Sequence, residues 1–433
     1  MSGAEADKRA SAQDAALGEA AGVWVTFRQT PRVTKAILVG VFVNSLAGFI
    51  QIFLVLFLTN QGFSSGQASF ALGLYGAGAV LGTFVGGALT DRMTVRMVTL
   101  ISTLGSALLM IAILYFKSYP LVLLSVLLVS AVRQLYRPAA QAMIAEQTPP
   151  SQLVMVMAMY RLSLNLGTSA APVIGVALIS VSYSLLFWGQ AVAAVVYGLI
   201  ALLALPGKAT LADLRPQAVQ QTRSGYRLVL ADLRFMAFVV AIFLRGSVYV
   251  QYTTALPLAI HRADVSLWWY SAVVSINALM VVTCEVFLTK FTQKWPLRIT
   301  AVTAFGLLAV GYAVYAIQIA PAFLVIGTLI WTLSEIVGAP TAFAYPSMVA
   351  PPGMQGRYIG AMQSALGLGM TIGPIVGVWL LNSQGRWVWI WIGGVALLST
   401  VAARAGMVGP AARPPPSREP AVDPPEPATK PAR

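Results

Sequence analysis

Residues 165–178 read NLGTSAAPVIGVAL, and residues 367–380, which lie 202 positions later, read GLGMTIGPIVGVWL. The same offset aligns RPAAQAMIAEQTPPS at 137–151 with APTAFAYPSMVAPPG at 339–353, so that prolines recur at matching places. One offset without a gap therefore relates separate regions of the two halves of the chain. The repeat predicts a duplicated unit whose two copies fold alike.

The composition determines the environment of this duplicated unit. Hydrophobic residues make up 58% of the chain and charged residues only 10%, a balance that a single water-soluble core with a solvated surface does not have. About twelve mostly apolar segments reach the length that a helix needs to cross a bilayer. Stretches such as AVAAVVYGLIALLAL at 191–205 lack the alternation of a membrane barrel strand. We predict an all-α membrane protein with twelve transmembrane helices in two pseudo-symmetric six-helix halves.

Polar interruptions divide the chain into segments. We predict a cytoplasmic N-terminal segment over 1–35, a six-helix half over 36–206, a cytoplasmic linker over 207–234, a second half over 235–408 and a disordered Pro-rich tail over 409–433. Lys and Arg concentrate in the loops on the side of both termini, which the positive-inside rule assigns to the cytoplasm. We expect a multi-pass protein of the plasma membrane, and the net charge of +14 requires no nucleic acid.

The rarest residue types exclude several kinds of chemistry. The single cysteine, Cys284, excludes an intramolecular disulfide and a thiolate metal cluster, and the single histidine, His261, excludes imidazole-rich metal chemistry. A membrane enzyme would need a catalytic cluster, and the sequence offers neither a metal set nor a long catalytic loop. We expect no metal, no cofactor and no enzymatic activity, and a monomer that binds a small molecule within the lipid bilayer.

The loop after the second predicted helix carries a family signature. GGALTDRMTVR at 86–96 resembles the signature between helices 2 and 3 of the major facilitator superfamily, with Gly87, Asp91, Arg92 and Arg96 at the matching positions. The resemblance implies that these residues form a conformational latch between the halves, with Asp91 held by the start of helix 11. It also implies that helices 1, 4, 7 and 10 line a central cavity, and that the coupling ion is a proton.

The fifth predicted helix carries GTSAAPVIG at 167–175, which resembles the proline-glycine motif of the drug/proton antiporters of that superfamily. Small residues let two helix backbones approach closely, and proline in a membrane helix frees a carbonyl. The resemblance favours twelve-span multidrug efflux, and the alternative is that the glycines only pack the helices. The helix-packing residues of the motif and of its second-half copy are Gly167, Pro172, Gly175, Gly369, Gly373, Pro374 and Gly377.

Charges inside the predicted spans must face protein or water, because each costs at least ~2.5 kcal/mol at the bilayer centre. Under the 202-residue offset Arg133 coincides with Glu335, so we expect the two at equal depth on helices 4 and 10. Glu335 is the expected proton carrier and Arg133 or Arg245 its partner, whereas a permanent salt bridge that only fixes packing is the alternative.

The remaining charges of the predicted spans receive more local interpretations. We include Glu285 among the proton-coupling candidates, but favour an interpretation in which it pairs with Lys290 and Lys294 near the inner face. The other two charges, Arg137 and Arg161, are expected to be structural anchors or partners of Glu146 and Asp91.

Polar and aromatic side chains on helices 1 and 7 are the candidate walls of the cavity. Few polar anchors among many apolar and aromatic residues suit a lipophilic substrate that is bound loosely. We predict proton-coupled export of a lipophilic drug or antibiotic, and keep a facilitator or importer of a small metabolite as the alternative. The candidate cavity residues are Asn44, Gln51, Arg245, Tyr249, Gln251 and Tyr252.

Overall fold

The computed structural model describes residues 23–207 and 225–408, and every regular element in these ranges is a helix. Eleven helical stretches are long and apolar enough to cross a membrane. The last of them, Gln355–Gly406, has 52 residues, or about 78 Å at 1.5 Å per residue, more than twice the thickness of a bilayer core. It is interrupted at Gly385, whose φ of 55° ends one helix before the next begins. The two described ranges together therefore contain twelve spans.

The twelve spans are numbered α1 to α12 in chain order, and two shorter helices precede the two halves. The short helices are the N-terminal helix Val23–Gln29 and the linker helix Tyr226–Ala231. The spans are Arg32–Asn60, Ser65–Arg92, Val95–Ile113, Tyr119–Gln147, Leu153–Ile179, Ser184–Ala204, Leu233–Arg262, Trp268–Thr292, Leu297–Val314, Pro321–Val349, Gln355–Gln384 and Val388–Gly406.

The observed bounds refine the predicted segments. The first span begins at Arg32 rather than at residue 36, and α7 begins at Leu233, where the side chain of Asp232 accepts a hydrogen bond from the amide of Phe235. The part of the predicted linker that the structure describes includes a six-residue helix. The predicted tail over 409–433, residues 1–22 and residues 208–224 lie outside the described residues.

Three spans are interrupted, and side chains from neighbouring helices satisfy the backbone groups that the interruptions free. In α1 the break at Gly48 leaves the amide of Ile50 to donate to Gln190 of α6, at 3.0 Å. In α4, Ser102 of α3 donates to the carbonyl of Val132, at 2.8 Å, close to the break before Pro138. In α7 the break after Tyr249 exposes its carbonyl, which accepts from Tyr312 at 3.0 Å.

The glycines of the repeated motif bring two helices of each half into contact. A Cβ at Gly167 of α5 would lie 2.6 Å from the Cβ of Ser45 in α1, and a Cβ at Gly369 of α11 would lie 2.9 Å from the amide of Ser247 in α7. Because 45 and 247 are also 202 positions apart, the two contacts are copies of one another. The same helix pairs meet at Gly175, Gly373 and Gly377, and the prolines Pro172 and Pro374 lie inside α5 and α11.

The bundle has two ends that differ in charge. We call one the basic end, and the other the opposite end, where Lys117, Arg262 and Arg386 lie. The basic residues of the basic end include Arg28, Arg92, Arg96, Lys290, Lys294, Arg298, Arg357 and Arg404.

The halves are joined at the basic end and parted at the opposite end. One hydrophobic cluster contains residues of both halves, among them Met157 and Tyr160 from the first half and Phe343 and Tyr358 from the second. Two further clusters, toward the opposite end, are each built from a single half. The hydrophobic contacts between the halves therefore concentrate at the basic end, which is closed in this structure.

Candidate functional site

An arginine of the first half binds two carboxylates of the second half where the halves meet. The Nε of Arg161 in α5 donates to Oε1 of Glu285 in α8 at 2.7 Å, and its Nη2 donates to Oε2 at 3.3 Å. The same Nη2 donates to Oε1 of Glu335 in α10 at 2.9 Å. We call these three residues the central triad. It crosses the boundary between the halves with three charge-assisted hydrogen bonds, the stronger class of protein hydrogen bond.

Burial makes the central triad energetically important. The side chain of Glu285 is fully buried, and the side chains of Arg161 and Glu335 are 10% and 9% exposed. The guanidinium of Arg161 also lies over the ring of Phe343, 5.2 Å from its centroid. Removing one partner of a buried ion pair typically costs about 3–5 kcal/mol, because it leaves an uncompensated charge. The triad therefore favours the conformation in which the basic end is closed.

The second half supplies further hydrogen-bond donors to one of the two carboxylates. Oε2 of Glu335 accepts from the Tyr249 hydroxyl and from Nδ2 of Asn277, both at 3.3 Å. Asn277 also donates to Thr332, at 3.1 Å. Glu335 is thus held within its own half as well as by Arg161.

Arg245 of α7 is a buried cation of the second half. Its guanidinium lies over the ring of Phe305, 5.6 Å from the centroid, and Glu335 is its main acidic neighbour. Its Nε and Nη2 have no hydrogen-bond partner among the described residues. Arg245 is therefore a cation of the same half as Glu335, although no described hydrogen bond or ion pair joins the two.

Arg133 makes its hydrogen bonds within its own half. Its Nη1 donates to the Tyr75 hydroxyl at 3.0 Å and its Nη2 to the carbonyl of Asn44 at 3.3 Å, so its partners are neutral groups of its own half. The arginine that binds Glu335 is Arg161. Neither a hydrogen bond nor an ion pair joins Arg133 to Glu335 in this conformation, so the predicted pairing is not formed here.

Two other sequence interpretations also require correction. Glu285 points into the boundary between the halves and binds Arg161, rather than pairing with Lys290 or Lys294 near the surface. Arg161 itself was expected to be an anchor or a partner of Glu146 or Asp91. Its position was detectable, since it lies eight residues after the start of α5 and Glu285 lies seven residues before the end of α8, both counted from the basic end.

The residues of the signature loop meet α11 at the basic end. Oδ1 of Asp91 accepts from the amide of Gly356 at 2.8 Å, and Oδ2 accepts from the amide and from Nη1 of Arg357, at 3.2 and 3.1 Å. A carboxylate at the first turn of a helix is favoured by the helix dipole. Gly87 allows this approach, because a Cβ there would lie 2.5 Å from the carbonyl of Gly356. Arg92 is exposed and Arg96 partly exposed.

The linker helix packs beside this contact. The ring of Tyr226 stacks on Phe84 of α2 with the centroids 3.9 Å apart, and its hydroxyl donates to the carbonyl of Phe84. A Cβ at Gly87 or at Gly360 of α11 would lie 2.9 or 3.2 Å from that hydroxyl. Burial, and the nearby charge of Asp91, raise the pKa of Tyr226 above its ordinary value. Sequence reasoning missed this residue, which follows a polar linker without any motif.

The remaining candidate cavity residues differ in their surroundings. Gln251 is buried and donates to the carbonyls of Ser247 and Gly373, at 2.8 and 2.7 Å, so it is used in packing α7 on α11. Tyr249 and Tyr252 form an aromatic group with Trp331, with centroids 5.1–6.0 Å apart. Asn44 is buried and Gln51 is exposed.

Two six-helix halves that meet through buried charge pairs at one end, and part at the other, define a membrane transporter built from inverted or duplicated units. The family model of the Major Facilitator Superfamily matches residues 37–366, and a second match covers residues 272–432. The chain belongs to this superfamily.

Relatives and solved structures agree with this assignment. The uncharacterized MFS-type transporter YqjV of Bacillus subtilis (strain 168) is 21% identical over 375 residues, which cover 84% of this chain and 91% of the relative. A Na(+), Li(+), K(+)/H(+) antiporter of Planococcus maritimus is 25% identical over 406 residues, with 85% and 94% covered. The fold is similar to that of the human organic anion transporter MFSD10, with a TM-score of 0.66 at 19% identity over 86% of this chain and 99% of that one. It is also similar to that of the proton:xylose symporter XylE, with a TM-score of 0.64 at 16% identity over 86% and 94%.

Proposed function

We propose that this transporter exports lipophilic small molecules from the cell by exchanging them for protons. The observation that carries the proposal is the central triad, in which one arginine of the first half holds two buried carboxylates of the second. A proton that neutralises a carboxylate removes the charge that Arg161 binds, and so weakens the connection between the halves. Protonation and the movement of the halves are coupled in this way.

The orientation follows from the distribution of charge. Lys and Arg in short loops favour the cytoplasmic side, so we assign the basic end and both termini to the cytoplasm of a plasma-membrane protein. The conformation described here is then closed toward the cytoplasm. Each chain contains both halves and the boundary between them, which supports action as a monomer, and we propose no cofactor beyond the coupling proton.

The direction of coupling can be derived from this orientation. A proton that enters from the outside and neutralises the carboxylates releases Arg161 and favours opening of the cytoplasmic end. There the proton is lost and substrate binds, and the carboxylates return to Arg161 when the substrate is carried outward. Proton entry and substrate exit are thus alternating steps of one cycle.

The walls near the central triad suit a lipophilic substrate. The aromatic group of Tyr249, Tyr252 and Trp331 lies beside Glu335, and the partly exposed rings of the two tyrosines offer mostly apolar surface in front of the buried Trp331. The buried amide of Gln251 is already used in helix packing. Apolar contacts with few fixed hydrogen bonds favour loose binding of varied compounds over precise recognition of a sugar.

A facilitator or importer of a small metabolite is the alternative function. The relative from Planococcus maritimus is named as an exchanger of monovalent cations for protons, and oxygen atoms of Glu285, Glu335 and Thr332 are the ligand type that hard cations use. Facilitated movement of a metabolite would be driven by the gradient of the metabolite itself, and cation exchange by a gradient of monovalent cations. The proposed drug export is driven by the proton gradient.

The test is accumulation of a fluorescent lipophilic dye, such as ethidium, in bacterial cells with and without the protein. We expect lower accumulation in cells that express it, and loss of this difference when an uncoupler collapses the proton gradient. Antibiotic susceptibility should fall in parallel. Equal accumulation with and without the protein would contradict lipophilic export, and a sodium or potassium gradient that alone drives movement would favour cation exchange.

A further inference from the structure

We propose that Glu285, rather than Glu335, is the carboxylate whose protonation follows the movement of the two halves. The proposal rests on the proposed function, because it assigns the proton of that exchange to one of the two acids. It gives Glu335 the separate role of holding Arg161 from a fixed position in the second half.

A group that couples protons to movement must have different surroundings in the two conformations. Glu285 meets this requirement, because the hydrogen bonds described for its carboxylate all come from Arg161. Arg161 belongs to the first half and Glu285 to the second. When the halves part at the basic end, Glu285 loses these donors together, and its ionised form loses its counter-charge.

Glu335 keeps most of its surroundings through the same movement. Of the three residues that donate to its carboxylate, only Arg161 belongs to the first half, while Tyr249 and Asn277 move with Glu335. Arg245, its neighbouring cation, also belongs to the second half. These groups stay beside Glu335 whether the halves are joined or parted.

The other charged groups around Glu285 do not replace Arg161. Among the charged side chains near it, Glu335 is an acid, and Arg245, a cation of the same half, makes no described hydrogen bond or ion pair with Glu285. The N-terminal helix that packs on α8 brings Arg28, which is exposed at the basic end, and the second segment of α7 brings His261 and Arg262 to the opposite end. Lys290 follows Glu285 by more than one turn on α8 itself.

The sign of the effect follows from these contacts. With the basic end closed, Arg161 favours ionised Glu285, whereas with the basic end open Glu285 lacks this partner and takes up a proton more readily. Acidification should therefore favour opening of the basic end. Asp91 is a second buried acid at this end, so its contribution must be separated in the test.

The experiment measures the distance between two spin labels in purified protein in lipid nanodiscs, without any substrate. The labels are placed on Ser151→Cys and Lys294→Cys, which are exposed loop positions of opposite halves at the basic end, with Cys284→Ala to remove the natural thiol. We expect the distance distribution of this parent protein to shift from short to long as the pH is lowered from about 9 to about 5, the range in which perturbed carboxylates titrate.

The variants distinguish the two acids. Glu285→Gln, which imitates the protonated acid, should favour the long distances to the same extent at every pH. In Glu335→Gln the distance between the labels should still depend on pH, and the same holds for the control Asp91→Asn. Both variants change the distance distribution observed at high pH. Glu285→Asp is a smaller change that keeps the carboxylate. It should move the midpoint of the pH-dependent distance change to higher pH, because the shorter side chain binds Arg161 less well.

Other results would overturn the proposal. A pH response that Glu335→Gln abolishes and Glu285→Gln preserves would identify Glu335 as the proton carrier, and a midpoint unaffected by Glu285→Asp would contradict a role for Glu285. A parent protein without any pH response would contradict both this proposal and proton coupling. A normal pH response in a protein that fails to lower dye accumulation would contradict lipophilic export and leave the role of Glu285 supported.

Discussion

Replacing Arg161 by methionine removes the only basic member of the central triad and keeps much of the apolar volume. Two carboxylates, one fully buried and one 9% exposed, then lose their common partner. Removing one partner of a buried ion pair costs about 3–5 kcal/mol. Since about 1.4 kcal/mol corresponds to a tenfold change in an equilibrium constant, the ratio of closed to open conformations should fall by roughly two to three and a half orders of magnitude. Protonation of the unpaired carboxylates reduces this change.

The population of the open conformation can be measured by alkylation of a cysteine at the boundary. Met157 is buried in the cluster that both halves share and lies one turn from Arg161 toward the basic end, on the same face of α5. In a Cys284→Ala background, a Met157→Cys thiol should react with a membrane-impermeant maleimide, added at the basic end of inverted vesicles, much faster when Arg161→Met is present.

The matched control keeps the charge and changes only its shape. Arg161→Lys retains a cation, but one ammonium does not reproduce the planar fork that binds both carboxylates. We expect an alkylation rate between those of the parent and of Arg161→Met. If Arg161→Met left the rate unchanged in a protein that is expressed and folded normally, the triad would not stabilise the closed basic end.

Three further predictions concern the latch, the repeated packing contact and Arg133. Asp91→Asn should weaken its contacts with Gly356 and Arg357 by roughly 1–3 kcal/mol and raise the same alkylation rate; an unchanged rate would refute a latch at this site. Gly369→Ala should reduce thermal stability, since its Cβ would lie 2.9 Å from the amide of Ser247, whereas the control Gly394→Ala has open space and should not; equal melting temperatures would contradict close packing of α7 on α11. Arg133→Gln should leave the pH dependence of transport in place, because the partners of Arg133 are a hydroxyl and a carbonyl, and a moved pH midpoint would show that it does act on a titrating carboxylate.

The repeat in the sequence predicted much of the fold because it recorded packing within each half. Gly167 with Ser45 and Gly369 with Ser247 occupy equivalent places in the two copies, and the breaks in α1 and α7 recur at the same offset. Hydropathy then sufficed to place the spans to within a few residues. These features depend on contacts inside one copy, which an internal comparison can detect.

The central triad could not be predicted from the repeat, because it lies between the copies and is asymmetric. The offset places Arg161 over Gln363 and Glu285 over Thr83, which are uncharged. The equivalent contact between α2 and α11 is a hydrogen bond of 2.9 Å between Thr83 and Ser364. A comparison of depth in the membrane, counted in residues from the basic end, would have paired Arg161 with Glu285, whereas the repeat did not.

The predicted latch at Asp91 and the central triad connect the halves at different depths. Asp91 and Arg357 connect α2 with α11, and the triad connects α5 with α8 and α10 at greater depth. Opening of the basic end must break both. We propose that the outer contact stabilises the closed state and that the inner one makes that state depend on protonation.

The most direct test of proton coupling through the central triad is dye transport in proteoliposomes with an imposed pH gradient. The parent protein should accumulate ethidium against its concentration gradient as protons move the other way. Glu285→Gln should exchange dye at equal concentrations on both sides but fail to accumulate it when the pH gradient is applied. Proton-driven accumulation at the parent rate in Glu285→Gln would contradict the account.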